Sequence, residues 1–182
     1  MGKRAIFFDR DGVLCQAVVK EGKPYPPADA ASLIVPPAAT LLLPRLKTLG
    51  FFLFVVTNQP DVARGTRTKE NVLAINEKLA TLLPLDGFYV CFHDNQDNCP
   101  CRKPKPGLIL KAAEENGIDL GASWLIGDRA SDVEAGVRAG CLTIFLDFDY
   151  AEPKATRPNF VRTSLKAAID LILEEESRGD AQ

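Results

Sequence analysis

Ala5-Ile6-Phe7-Phe8-Asp9-Arg10-Asp11-Gly12-Val13 is a short apolar run that breaks abruptly into two acids. Ala5 to Phe8 are rich in strand formers, so the carboxylates emerge where a buried strand ends. Open α/β sheets take their ligands at the carboxyl ends of such strands, and Gly12 lets the chain turn sharply just past the acids. Two carboxylates two residues apart can divide labour. One can attack an electrophilic centre such as phosphorus, while the other can protonate the leaving alkoxide and then take a proton from water. Their mutual repulsion calls for a divalent cation, and an oxygen-rich site suits Mg²⁺. Alone, the same residues also describe an acidic strand-to-loop turn without chemistry, so the rest of the chain must decide.

Outward from this stretch, apolar strands alternate with helices. Phe51 to Val56 is continuous, aromatic and β-branched, the pattern of a strand covered on both faces. It delivers Thr57-Asn58-Gln59 at its end. Phe88 to Phe92, Trp124 to Ile126 and Leu142 to Leu146 read as further strands, with Phe160-Val161 a possible edge. Pro36-Pro37 opens a helix with the stripe Ala38, Leu42, Leu46 and Leu49, which Pro44 should kink or shorten. Thr68 caps a helix with Val72, Ile75, Leu79 and Leu82 on one side. Another runs from Pro106 to Gly117, and Ser131-x-x-Glu134 reads as the capping box of a short helix ending at Gly140. Leu165, Ala168, Ile169 and Ile172 stripe the last helix, and the acidic tail 174–182 is expected to fray. Residues 17–25 read as a small hairpin turning at Lys20-Glu21-Gly22-Lys23. The alternation predicts parallel βαβ units in a doubly wound, Rossmann-like α/β sheet forming one domain over residues 1–182.

Composition narrows the function. A chain of 182 residues, 46% hydrophobic and 25% charged, can bury a full core. A net charge of −2 argues against a nucleic-acid or anionic-membrane surface. No apolar run is long enough to span a bilayer or serve as a secretory leader. The expectation is a cytoplasmic monomer that partners neither nucleic acid nor membrane.

Three of the five cysteines, Cys91, Cys99 and Cys101, fall within eleven residues together with His93, the only histidine. An odd, clustered set is a poor disulfide framework. Three sulfurs and one imidazole form a closed tetrahedral donor set typical of structural zinc, so residues 91–101 read as a zinc-stapled loop. Reduced, unliganded thiols are the plainer alternative. Cys15 and Cys141 read as small buried hydrophobes.

Asp-x-Asp-Gly-Val after an apolar strand resembles motif I of the haloacid dehalogenase superfamily of phosphatases. The resemblance calls for a Ser or Thr after a second strand, then a Lys, then a Gly-Asp pair after a later strand. Thr57, Lys103 in Arg102-Lys103-Pro104, and Gly127-Asp128-Arg129-Ala130-Ser131-Asp132 stand in that order. It implies Asp9 as nucleophile, Asp11 as acid then base, and Thr57 and Lys103 on the phosphoryl oxygens. It also implies Mg²⁺ at Asp9, Asp11 (through its backbone carbonyl) and Asp128, with Asp132 behind them. Asn58, Arg64, Arg102 and Arg129 are the candidate substrate-binding residues. Asp9 to Thr57 is 48 positions and Thr57 to Lys103 is 46, which one helix, one strand and loops consume, so a capless member is predicted. The Cys/His quartet running into Cys101-Arg102-Lys103-Pro104-Lys105-Pro106-Gly107 resembles the histidinol-phosphatase-related branch. That branch acts on small phosphorylated metabolites, and histidinol phosphate competes with sugar phosphates as the substrate class. A non-catalytic zinc-stapled module is the reading from another class. It expects Asp9, Asp11, Lys103 or Asp128 to be replaced, and all four are present.

Overall fold

The first strand, β1 (Arg4–Phe8), alternates its side chains between two apolar layers, and that alternation builds the protein. In a computed structural model that describes residues 2–179, Ile6 and Phe8 point into one layer, Ala5 and Phe7 into the other. After the hairpin β2 (Val18–Lys20) and β3 (Lys23–Tyr25), helix α1 (Pro37–Thr48) leads to β4 (Phe51–Asn58). Next come α2 (Lys69–Leu82), β5 (Gly87–Cys91) and α3 (Gly107–Asn116). The chain then forms β6 (Trp124–Gly127), α4 (Ala130–Ala139), β7 (Leu142–Leu146), β8 (Phe160–Arg162) and α5 (Leu165–Gly179).

Six strands form one parallel sheet in the order β5-β4-β1-β6-β7-β8. From β1 the chain winds outward first through β4 and β5, then on the other side through β6, β7 and β8. The reversal opens a crevice at the carboxyl ends of β1, β4 and β6. Registers align those ends: Phe8 lies opposite both Val55 and Ile126, and Asp9 N–H donates to the Ile126 carbonyl at 3.0 Å. Helices α1 and α5 cover the face that includes Ile6, Leu53, Trp124 and Ile144. The opposite face, with Phe7, Phe54 and Leu125, packs against α3 and α4. Between β1 and β4 the chain forms only the hairpin and α1, and no inserted domain is present among the described residues. No helix among them is long and apolar enough to cross a membrane.

Several local expectations shift. Helix α1 is not shortened at Pro44: it continues to Thr48, with Pro44 on its exposed side. Its fully buried residues are Ala39, Leu43 and Leu46, one position on from much of the predicted stripe, with Leu42 and Leu49 at the margin. The capping box of α4 is not Ser131…Glu134. The helix begins two residues earlier, with Arg129 as its N-cap, and Asp132 Oδ2 accepts the Arg129 N–H at 3.0 Å. The last helix does not fray at Glu174; it continues to Gly179, where Glu176 pairs with Arg4 at 2.8 Å. The remaining three residues of the predicted tail, 180–182, lie outside the described residues. Thr68 caps α2 as predicted, its hydroxyl accepting from Asn71 N–H at 3.1 Å, a contact typically worth ~1 kcal/mol.

Candidate active site

Four charged side chains meet at the floor of the crevice. Lys103 Nζ, buried, donates to Asp9 Oδ1 at 2.7 Å and to the Val56 carbonyl at 2.7 Å, and pairs with Asp132 Oδ1 at 2.6 Å. Asp9, Asp128 and Asp132 bring carboxylate oxygens within 4.8 Å of one another. Three buried acids therefore face one ammonium. Burial pushes the Asp9 carboxyl up; Lys103 opposes that, Asp132 and Asp11 add to it, and the group is raised to about 6. Asp128 is pushed well above the carboxylate range by burial and by Asp9 and Asp132. Lys103 is raised despite its burial, because Asp132 and Asp9 outweigh desolvation. Removing that ammonium would leave buried carboxylates uncompensated, a cost of about 3–5 kcal/mol.

Asp128 has neither carboxylate oxygen hydrogen-bonded, and both are buried. Native interiors rarely leave such groups orphaned unless an ion or water belongs there. Gly12 adopts φ +95°, and a Cβ there would stand 2.0 Å from Asp128 Oδ2. The Asp11–Gly12 backbone thus lies directly against the orphaned carboxylate. This donor set of hard oxygens with surplus negative charge fits a divalent cation such as Mg²⁺. Asp132 is already saturated, one oxygen on Lys103 and the other on the Arg129 amide.

The Asp11 carboxylate does not join the Asp9, Asp128 and Asp132 cluster; it turns towards Arg10. Arg10 Nε and Nη2 donate to its two oxygens at 3.1 and 2.9 Å, and Gln59 Nε2 donates to Oδ2 at 2.7 Å. The Cys15 thiol donates to Oδ1 at 3.2 Å. Burial alone would raise Asp11, but the Arg10 charge and these bonds outweigh it and hold the carboxyl below its usual range. Gln59 Nε2 also donates to Thr57 Oγ1 at 2.9 Å, so Thr57 and Asp11 share one anchor.

A cleft of about 410 Å³ opens above this floor. Thr57, Asn58, Arg64, Arg102 and Arg129 all line it, with Lys23, Tyr25 and Glu152 on the hairpin side. The Asn58 side chain is engaged with the Lys103 backbone. Arg64 makes a fork onto Asp94 at 2.9 and 2.7 Å, while Arg102 donates to Asn95 Oδ1 at 2.7 Å and to the His93 carbonyl at 3.3 Å. Arg129 donates to the Pro24 carbonyl at 2.8 Å and lies 3.5 Å from Glu152.

Beside the cleft, Cys91, His93, Cys99 and Cys101 converge within 4.8 Å. Their sulfurs stand 3.2, 3.3 and 3.7 Å apart, and His93 Nδ1 lies 3.3 Å from Cys101 Sγ. A tetrahedral site with Zn–S bonds of about 2.3 Å separates its sulfurs by about 3.8 Å, so one pair already stands near that spacing and the other two need open by only about 0.5 Å to hold a soft metal. Burial opposes ionisation of Cys99, yet hydrogen bonds from Cys101, the Arg102 amide and Cys91 pull it down to about 7. Cys15 and Cys141 are buried, and Cys15 is also a partner of Asp11.

Sequence reasoning misses Arg10, Gln59 and Asn76 around Asp11, and Asp94 and Asn95 beneath the arginines. Gln59 had a visible signal, adjoining Thr57-Asn58 at a strand end. Asn76 had none, because a lone Asn in a helix stripe looks like an ordinary surface position.

Comparisons with known proteins agree with this geometry. Residues 100–168 match a family model described as HAD-hydrolase-like. The D-glycero-beta-D-manno-heptose-1,7-bisphosphate 7-phosphatase of Helicobacter pylori strain J99 is 39% identical over 144 residues, covering 75% of this chain and 78% of that enzyme. The enzyme of the same name from Vibrio cholerae is 34% identical over 158 residues, covering 80% and 82%. The crystal structure of D,D-heptose 1,7-bisphosphate phosphatase from B. bronchiseptica, complexed with magnesium and phosphate, superposes with a TM-score of 0.76 at 28% identity, covering 95% of this chain and 99% of that one.

Proposed function

The chain belongs to the haloacid dehalogenase superfamily of phosphatases, and from that membership we propose that it hydrolyses one phosphate of a sugar bisphosphate, D-glycero-D-manno-heptose 1,7-bisphosphate above others, at C7. It is a phosphoric monoester hydrolase. The observation that carries the cation-assisted phosphatase reading is the pair of orphaned Asp128 oxygens, buried beside Gly12 and grouped with Asp9; the choice of a heptose bisphosphate is supported by the similar enzymes and by the arginine-rimmed cleft.

Asp9 attacks phosphorus, the P–O bond to the sugar breaks, and Asp11 gives a proton to the departing oxygen. The phosphate's own negative charge raises the proton affinity of Asp11 as it binds, which prepares it to act as acid. Asp11 then takes a proton from the water that attacks the aspartyl-phosphate, returning Asp9 to its carboxylate. Lys103 and the Thr57 hydroxyl hold the transferring oxygens. Asp9, Asp128 and the Asp11 carbonyl would hold Mg²⁺, with Asp132 behind them; the ion supplies positive charge that lets an anionic phosphate approach a carboxylate. Cys91, His93, Cys99 and Cys101 would hold zinc, a cross-link for the loop that carries Asp94 and Asn95.

Only five residues separate His93 from Cys99, a short wall for the cleft, which supports activity on several sugar phosphates with a bisphosphate preferred. Arginine forks suit a second anionic group. Phosphate release from a panel of sugar mono- and bisphosphates and histidinol phosphate tests the reading: the heptose bisphosphate should give the highest kcat/KM. A clear preference for histidinol phosphate would overturn the substrate assignment.

A further inference from the structure

Arg10 is wholly buried, yet it lies one residue from the cleft and lines none of it. Burying a guanidinium is unfavourable unless its donors are filled by fixed acceptors. Here Nε and Nη2 meet the two Asp11 oxygens, and Nη1 donates to Asn76 Oδ1 at 2.9 Å. Asn76 sits on the buried side of α2, and its Nδ2 is buried without a partner. An apolar side chain would fill that place without leaving a donor orphaned. The amide is therefore retained for its carbonyl, and its carbonyl serves only Arg10.

We propose that Arg10 and Asn76 are positioning residues for Asp11: the Asn76 carbonyl fixes the guanidinium in the orientation from which its fork sets the Asp11 carboxylate. The planar fork leaves the carboxylate few ways to turn. Gln59, anchored on Thr57, fixes the same carboxylate from the cleft side. Helix α2, which contributes nothing to the cleft lining, thus helps aim the group that handles protons.

This inference rests on the reading of Asp11 as acid and base, and the test separates the two. kcat/KM reports the steps through phosphoryl transfer to Asp9. There an alkyl leaving group needs a proton, whereas p-nitrophenolate leaves without one. The quantity read is the ratio of kcat/KM for the best primary-alkyl phosphate of the panel to that for p-nitrophenyl phosphate. Arg10→Met and Asn76→Leu should each lower this ratio, Arg10→Met by about 10²-fold as expected for a catalytic group misplaced by about 1 Å. Asn76→Asp keeps an acceptor for Arg10 and should keep the ratio near wild type. A purely structural effect would reduce both substrates alike. Asp11→Asn is the control: if it lowers the ratio while Arg10→Met and Asn76→Leu leave it unchanged, the positioning role is wrong. If Asp11→Asn also leaves it unchanged, the acid role of Asp11 fails and the inference falls with it. Should Arg10→Met not fold, Asn76→Leu decides alone, because it touches neither Asp11 nor the cleft.

Discussion

Asn58 and Lys103 hold each other by two reciprocal hydrogen bonds: Asn58 Nδ2 donates to the Lys103 carbonyl at 3.0 Å, and the Lys103 amide donates to Asn58 Oδ1 at 3.1 Å. The end of β4 and the loop leaving the cysteine cluster are thereby locked together 45 residues apart in sequence. The lock sets where Lys103 begins, and its ammonium is then fixed between Asp9 and Asp132. Asn58→Ala should lower kcat by about 10–10²-fold through misplacement of that ammonium, with bound zinc unchanged. Steady-state kinetics beside elemental analysis checks this; an unchanged kcat would show that the Lys103 ion pairs suffice.

Asp9→Asn should abolish turnover while the fold survives, since an amide is a poor nucleophile. Asp11→Asn should slow both half-reactions by about 10²–10⁴-fold. Rapid-quench detection of phosphorylated protein is the measurement. Turnover by Asp9→Asn within tenfold of wild type would remove the covalent mechanism.

Gly12→Ala forces a methyl group into the space of Asp128 Oδ2 and a side chain into a φ of +95°. The backbone term alone costs about 1–3 kcal/mol, and Asp128 must also shift. We expect a lower Tm together with weaker Mg²⁺ binding by calorimetry. A lower Tm with unchanged Mg²⁺ affinity would separate Asp128 from the metal.

Freshly prepared, reduced protein should contain about one zinc per chain. Cys99→Ser should lose it and free the 91–101 loop, reducing activity indirectly because Asp94 and Asn95 no longer hold Arg64 and Arg102. KM should rise more than kcat falls. Protein that carries no zinc as isolated would refute the assignment.

The two arginines should not be equivalent. Arg64 has its fork filled by Asp94, whereas Arg102 is tethered to uncharged acceptors and keeps its charge for a ligand. Arg102→Ala should therefore lower kcat/KM for the bisphosphate more than for a monophosphate, and more than Arg64→Ala does. Equal losses on both substrates would mean that Arg102 holds only the transferring phosphate.

The framework was legible because it is written in local patterns. Runs such as Phe51–Val56 have no polar interruption, so strands, their order along the chain and the acids at their ends follow from periodicity. The Cys/His quartet was equally visible, because its donors cluster in sequence. What resisted reading depends on where one element meets another. Arg10 reaches Asn76 across 66 residues, and nothing in either neighbourhood marks the pair. The cap of α4 went to Asp132 instead of Glu134 because Lys103 holds one Asp132 oxygen and leaves the other facing the Arg129 amide. The α1 stripe slipped by one because a mostly apolar helix offers two adjacent faces of similar hydrophobicity, and packing against α5 chooses between them.

The cysteine quartet begins on the last residue of β5, the outermost strand of the sheet. No strand lies beyond it, so this loop can gain or lose residues over evolutionary time without re-registering any other part of the sheet. Asp9 and Asp128 stay in place meanwhile, since their positions derive from β1 and β6, and Lys103 stays tied to the end of β4 through Asn58. One wall of the cleft can therefore be edited at the margin of the molecule while the acids at its floor are inherited intact.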